Sequence, residues 1–276
     1  MNKKHVILFF GYLVLILIVI SMLFPFIVMV NIAISSNDCM LNNSNIFSFD
    51  SITLNNFKHV FSQIPITRYF INSMIVALIT TAGQVIISAL AGYAFAKLDF
   101  KYKNMLFLLI LITMVVPPQV NIVPLFFLMR ELHLVNTYSA LILPGLFGGF
   151  GVFFMRQYFL SMPKDITDAS TIDGCNIFQT FFKIVLPLSL PAIVTLSVFT
   201  FVTTWNSFIW PLIITNTENM RTLPVGLAIF KGSYREITMW GDLMACSVIC
   251  IIPVITVFLL SKKYFLSDLL AGSVKE

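Results

Sequence analysis

Residues that could carry out covalent or acid–base chemistry are few in this sequence and lie far apart. The three histidines, His5, His59 and His133, fall in separate segments with no paired acid or nucleophile nearby. Proton transfer and nucleophilic catalysis need such groups within hydrogen-bond reach of one another. The histidines therefore do not predict an enzyme.

The cysteines and glycines are equally poor in chemical signals. Cys39, Cys175, Cys246 and Cys250 form no CxxC pair, and the last two stand one helical turn apart in an apolar run, which favours a packing role. No glycine is followed by lysine, so the chain lacks the G-x4-G-K-[ST] loop that cradles ATP phosphates. We expect no cofactor or metal on this chain, and any ATPase must be another polypeptide.

The composition explains why such groups are scarce. Of the 276 residues, 58% are hydrophobic and only 11% are charged, and the mean hydropathy is +0.94. Soluble domains carry roughly a quarter charged residues. The basic surplus lies in short groups between apolar runs, which indicates membrane topology rather than nucleic-acid binding. The chain is therefore predicted to be an integral membrane protein.

The apolar runs are continuous rather than alternating, so they predict helices and not barrel strands. No Asp, Glu, Lys, Arg or His lies inside any of them, which argues against a carrier driven by protons or ions. About six spans are predicted: Val6 to Ile34, Tyr69 to Ala96, Asn104 to Met129, Tyr138 to Met155, Pro187 to Ile214 and Leu243 to Ser261.

Lys and Arg residues set the expected orientation. With both termini in the cytoplasm, eleven of the 17 basic residues fall in inside segments and six in outside segments, as the positive-inside rule requires. We expect one transmembrane domain over 1–276. Its parts are a peripheral first helix (6–34), an extracytoplasmic loop (35–68), a five-helix region (69–261) with a cytoplasmic loop (157–186), and a tail (262–276).

The cytoplasmic loop contains signals for a short helix. Pro163 suits a first turn, Asp165 and Asp168 stand at capping-box spacing, and Gly174 is a natural stop that we expect to adopt a left-handed backbone angle. An amphipathic segment follows and Pro187 opens the next span. The pattern alone fits either a helix that enters a groove of a partner or one that only orients the fifth span.

A spaced motif in this loop resembles a known family. The motif consists of Asp168-Ala169-Ser170, then Asp173 and Gly174, and after nine intervening residues Ile184-x-Leu186-Pro187. This pattern resembles the EAA loop of binding-protein-dependent ABC importer permeases, E-A-A-x3-G-x9-I-x-L-P. Asp168 replaces the usual Glu and Ser170 replaces the second Ala.

Further stretches along nearly the whole chain are similar to the carbohydrate branch of that family, the maltose-permease-like proteins. They are Ala91 to Lys97, Pro117 to Gln119 with Pro124 to Phe126, Phe199 to Pro211, Arg221 to Gly226 and Ala271 to Lys275.

The resemblance implies an all-α type I ABC importer permease in the bacterial or archaeal cell membrane. It implies that the loop couples the spans to two separate ATPase subunits. A second homologous permease and an extracellular solute-binding protein are the other implied partners, with membrane lipid around the spans and no nucleic acid.

An uncharged passage suits a neutral sugar, whose hydroxyls need amide partners and whose apolar faces need aromatic rings. One alternative is a permease of the same build for another solute such as glycerol phosphate. The other is a membrane protein without a transport role. Trp often marks membrane interfaces, and Asn or Gln often bonds between helices. With that reservation, the candidate path residues are Gln119, Asn121, Trp205, Asn206 and Trp210.

Overall fold

The computed structural model describes residues 3–35, 52–233 and 240–273. The regular secondary structure of this part of the chain is helical apart from one isolated bridge between Ser35 and Ile52. The helices, in chain order, are α1 (Lys3–Ile34), α2 (Asn55–Gln63), α3 (Ile66–Lys97), α4 (Lys103–Val115), α5 (Pro118–Glu131), α6 (Tyr138–Gly145), α7 (Gly149–Ser161), α8 (Lys164–Ile172), α9 (Ile177–Leu188), α10 (Leu190–Trp205), α11 (Ile209–Ile214), α12 (Leu223–Ser233) and α13 (Trp240–Ser273). The all-α prediction is confirmed.

Within the described ranges, three helices are continuous, long and apolar enough to cross a membrane: Leu8–Ile34, Ile66–Lys97 and Trp240–Tyr264. Three further spans become possible if each of three bent pairs is one span. The pairs α4/α5, α6/α7 and α9/α10 bend by 92°, 41° and 75°. The number of possible spans, up to six, therefore agrees with the prediction, but the bent pair α9/α10 starts at Ile177 rather than at the predicted Pro187.

The breaks have local causes. Val116 is extended, with φ −79° and ψ 118°, because the ring of the following Pro117 excludes the helical conformation. The predicted span Asn104 to Met129 is interrupted there, as the proline pair indicates. The predicted continuous span Pro187 to Ile214 is wrong in detail, since α10 ends at Trp205 and α11 starts only at Ile209.

The chain forms two compact units, each built from separated segments. The first contains Met1–Thr67 and Gly226–Ile252. Here α1 keeps its apolar side chains exposed along the whole apolar window, as a lipid-facing helix does. The side-chain amide of the buried Asn56 on α2 donates to the carbonyls of Ala33 and Ser35 at 2.9 and 2.8 Å, which fixes α2 against the end of α1.

The first unit also corrects one expectation about the histidines. His59 of α2 lies against the carboxylate of Asp242 in the first turn of α13, so this histidine does have a paired acid. The two residues are 183 positions apart, and sequence spacing gives no sign of the contact.

The second unit contains Arg68–Val225 and Pro253–Glu276, and α3, α7, α9 and α10 share one apolar cluster in it. Gly92 allows α3 and α7 to approach closely, because a Cβ there would lie 2.7 Å from Cβ of Met155 and 2.9 Å from the backbone nitrogen of Arg156. The buried members of the cluster are Val85, Ala89, Tyr93, Met155, Phe159, Phe181, Val185, Ala192 and Leu196.

Candidate functional site

The cytoplasmic loop folds into α8, and its start differs from the expected one. Pro163, with φ −52° and ψ 137°, precedes the helix, and no side chain caps the first turn. Asp165 lies inside that turn, so the predicted capping box of Asp165 and Asp168 is wrong. Asp165 there still favours the helix, because a carboxylate in the first turn complements the macrodipole.

The end of α8 agrees with the prediction. Gly174 has φ +77°, its N–H donates to the carbonyl of Thr171, and the N–H of Cys175 donates to the carbonyl of Ser170, both at 3.0 Å. These two bonds form a Schellman motif, which requires a left-handed residue at the position of Gly174.

The next helix begins at once. The Asn176 side chain accepts from the N–H of Gln179 at 2.9 Å, and the Gln179 side chain accepts from the N–H of Asn176 at 3.0 Å. This capping box starts α9 after only four intervening residues, 173–176. The spacing rule placed the box on the wrong helix, because the N-cap position of α8 is Pro163, whose side chain has no oxygen to accept a bond.

α9 then enters the apolar cluster. A π-helical turn covers Phe181–Val185, and both end residues are buried. The Phe181 ring lies 5.0 Å from the ring of Tyr93 and 6.5 Å from that of Phe159. Of the other motif residues, Leu186 packs partly buried against the cluster, Ile184 is partly buried and Pro187 is exposed.

By contrast, α8 is open to a partner on most of its surface. Asp168, Ala169, Asp173 and Gly174 are all exposed, and the apolar side chain of Ile172 is 86% exposed. Ser170 is the one buried residue of α8. The structure thus separates the motif into an exposed helix and a segment anchored in the core.

A cavity of about 700 Å³ lies in the second unit, where the helix breaks come together. Residues at three breaks line it: Val116 and Pro118 between α4 and α5, Phe147 to Gly149 between α6 and α7, and Ser207 to Ile209 between α10 and α11. Irregular backbone at membrane depth is tolerated where it lines a polar cavity. The cavity therefore explains why the irregular backbone at the three helix breaks is tolerated.

Among the described residues, the lining combines apolar side chains with amide and hydroxyl groups and contains no charged residue. Gln119, Asn121 and Trp210 from the sequence prediction line it, and the Trp210 ring is oriented by a 2.9 Å bond from Nε1 to the carbonyl of Ala140. The other polar lining residues, which the sequence reasoning missed, are Thr80, Gln84, Thr113, Thr203, Thr204 and Ser207. The signal that could have found them is the presence of amide and hydroxyl groups inside apolar runs.

Two predicted path residues lie outside this lining. The Trp205 side chain is 2% exposed and packs between the rings of Phe70, at 5.6 Å, and Phe201, at 5.8 Å. Asn206 is exposed at the end of α10 and does not contribute to the cavity wall. The structure therefore groups Gln119, Asn121 and Trp210 and leaves these two apart.

Comparison with known proteins gives relatives along almost the full length. The chain is 36% identical over 277 residues to the trehalose/maltose transport system permease protein MalG of Thermococcus litoralis, covering 99% of this chain and 97% of that protein. It is 39% identical over 231 residues to the arabinooligosaccharides transport system permease protein AraQ of Halalkalibacterium halodurans, covering 83% and 82%. It is 32% identical over 205 residues to the sn-glycerol-3-phosphate transport system permease protein UgpE of Yersinia pestis, covering 74% and 73%.

The fold is also known. A chain from the crystal structure of a bacterial ABC transporter involved in the import of the acidic polysaccharide alginate matches with a TM-score of 0.84 and 22% identity, covering 96% of this chain and 98% of that one. Residues 84–269 match the family model of the binding-protein-dependent transport system inner membrane component. The chain therefore belongs to the family of inner-membrane components of binding-protein-dependent transport systems, as the EAA-like motif predicted.

Proposed function

We propose that this chain is the membrane-spanning permease subunit of an ATP-driven importer and that a neutral sugar passes through it. The observation that carries the proposal is the uncharged cavity of about 700 Å³ at the three helix breaks. Its amide and hydroxyl groups offer donors and acceptors to sugar hydroxyls, and the Trp210 ring offers a face for the apolar side of a sugar ring.

Glycerol phosphate is the competing solute, since one relative carries that name. A phosphate group is bound with high affinity by Arg, Lys or oriented backbone amides. The lining contains neither Arg nor Lys. The charge of the cavity therefore favours a neutral sugar.

The exposed face of α8 supports the proposed partners. An 86% exposed Ile172 beside Asp168 and Asp173 combines an apolar anchor with acidic groups, a pattern suited to the groove of a second protein. We infer that α8 enters an ATPase subunit. A complete importer then contains two ATPases, a second permease and an extracellular solute-binding protein, and this chain itself needs no cofactor.

In the same proposal, residues 1–276 act as one permease domain and both termini are cytoplasmic. The basic residues near the span ends support that orientation. The loop containing α8 then faces the ATPases, and the extracytoplasmic segments face the binding protein.

Two threonines of α10 provide a matched test. The Thr203 and Thr195 hydroxyls both donate to carbonyls of their own helix, at 3.0 and 2.9 Å, but only Thr203 lines the cavity. The complex, purified through a tag on this chain and reconstituted in liposomes, is given labelled neutral sugars. Thr203→Val should lower uptake roughly two- to tenfold, the effect of one net hydrogen bond, and Thr195→Val should leave it unchanged.

A panel of neutral mono- and oligosaccharides with glycerol 3-phosphate as competitor identifies the solute class. Competition by glycerol 3-phosphate with no uptake of any sugar would contradict the sugar assignment. Absence of an ATPase from the purified complex would contradict the importer assignment.

A further inference from the structure

Hydrogen bonds fix the turn between α8 and α9, residues Ser170–Thr180, at several points. The Schellman bonds at Gly174 and Cys175 close the end of α8, and the capping box of Asn176 and Gln179 opens α9. Both sets are local, and neither joins a side chain of α8 to a side chain of α9. A side-chain contact across the turn adds a direct constraint on the angle between the helices.

Such a contact joins Ser170 and Thr180, whose hydroxyl oxygens lie 3.0 Å apart. The Ser170 hydroxyl donates its single hydrogen to the carbonyl of Thr167 at 2.7 Å. The Thr180 hydroxyl is therefore the donor in the contact, and Ser170 Oγ is the acceptor. Ser170 is 2% exposed and Thr180 is 5% exposed, so water does not compete for the bond.

The position of Thr180 gives the bond its importance. It directly precedes the π-helical turn whose end residues, Phe181 and Val185, are 3% and 1% exposed in the apolar cluster. Any rotation of α8 that preserves the hydroxyl bond must also move Phe181. A rotation that breaks the bond is absorbed at the turn.

We propose that Ser170 and Thr180 are positioning residues that make α8 and the core-anchored part of α9 move together, so that a displacement of α8 reaches the spans. The inference rests on the proposed function, in which the ATPase moves α8. The bond would explain why the one buried residue of α8 is a serine, Ser170, in place of the alanine usual in the motif.

The test is the amount of sugar transported for each ATP hydrolysed by the reconstituted complex. Thr180→Val removes the bond yet leaves the Ser170 hydroxyl bonded to Thr167. We expect this ratio to fall roughly two- to tenfold, with subunit assembly and ATP hydrolysis retained. Thr180→Ser, which keeps the donor, should preserve the wild-type ratio.

Two further variants separate positioning from the cost of an unpaired donor. Ser170→Ala leaves the Thr180 hydroxyl buried without its acceptor, which should lower both the transport ratio and the melting temperature. Ser170→Ala with Thr180→Val removes both polar groups and should recover the melting temperature but not the ratio. The control is Thr195→Val, because the Thr195 hydroxyl donates to a carbonyl of its own helix, α10, and lies outside both the turn and the cavity lining.

A wild-type ratio in Thr180→Val, or a ratio restored by the double variant, would overturn the inference alone. Failure of the wild-type complex to move any sugar would instead overturn the proposed function, and the inference with it.

Discussion

Nδ1 of His59 lies 2.5 Å from Oδ2 of Asp242, a carboxylate with no exposed side-chain surface. The second ring nitrogen of His59 lies 3.2 Å from the side-chain nitrogen of Gln63. A neutral imidazole with its proton on Nδ1 satisfies both contacts, since Nδ1–H donates to the carboxylate and Nε2 accepts from the amide. The pair therefore joins α2 to the first turn of α13 within the first unit.

His59→Ala should destabilise the protein because it leaves the Asp242 carboxylate buried and unpaired. We expect a loss of about 2 kcal/mol, below the roughly 3–5 kcal/mol of fully buried pairs, since 35% of the His59 side chain is exposed. Thermal unfolding in detergent measures the loss. Adding Asp242→Asn should recover part of it, and His133→Asn is the control at an exposed histidine with φ 56°.

Trp205→Ala should act through packing. The indole is 2% exposed between Phe70 and Phe201, so its removal leaves a large cavity and costs roughly 3–5 kcal/mol. Protein level and melting temperature should fall together with uptake. Trp210→Phe, which keeps a ring at the cavity wall, should instead lower uptake with little change in protein level. Normal melting of Trp205→Ala together with lost uptake would contradict the packing role.

Gly174→Leu should leave the subunit in the membrane and abolish most transport. The cause is the backbone, because a Cβ at this position meets no atom within 4 Å but the φ of +77° costs a residue with a side chain about 1 kcal/mol or more. Gly174→Asn is the matched variant, since Asn tolerates the left-handed region. It should retain more transport than Leu in the same reconstituted assay. Full uptake by Gly174→Leu would show that the turn is only a connector.

Cysteine labelling of intact cells tests the orientation. In a background with all four native cysteines replaced, Asp173→Cys on the exposed side of α8 should react with an impermeant reagent only after the cells are opened. Asn219→Cys, exposed between α11 and α12, should react in intact cells. Reaction of Asp173→Cys in intact cells would contradict the predicted cytoplasmic position of α8.

Apolar run length and the spaced motif predicted the helical class, the family and the left-handed Gly174, because these depend on local chemistry and on residue type. The break at Val116 also follows from local chemistry, because Pro117 comes next. The break after Trp205 and the grouping of Gln119 with Thr203 depend on how helices pack, which no spacing rule contains. Residue type predicted Trp205 as a path residue but does not distinguish a ring that lines a cavity from one that packs between other rings, as Trp205 does between Phe70 and Phe201. The partner of His59 was missed for the same reason, since Asp242 is distant in sequence.

The three helix breaks have a consequence for how such a protein diversifies. A continuous helix bonds its carbonyls and amides internally, whereas each helix end leaves backbone groups without an intrahelical partner. Ser207, Gly148 and Val116 lie at or beside such helix ends in the cavity lining. A substitution changes a side chain of the lining but leaves the main-chain atoms at these ends in place. If the cavity is the path of the solute, we therefore expect the side chains to set solute preference while the backbone at the breaks stays the same.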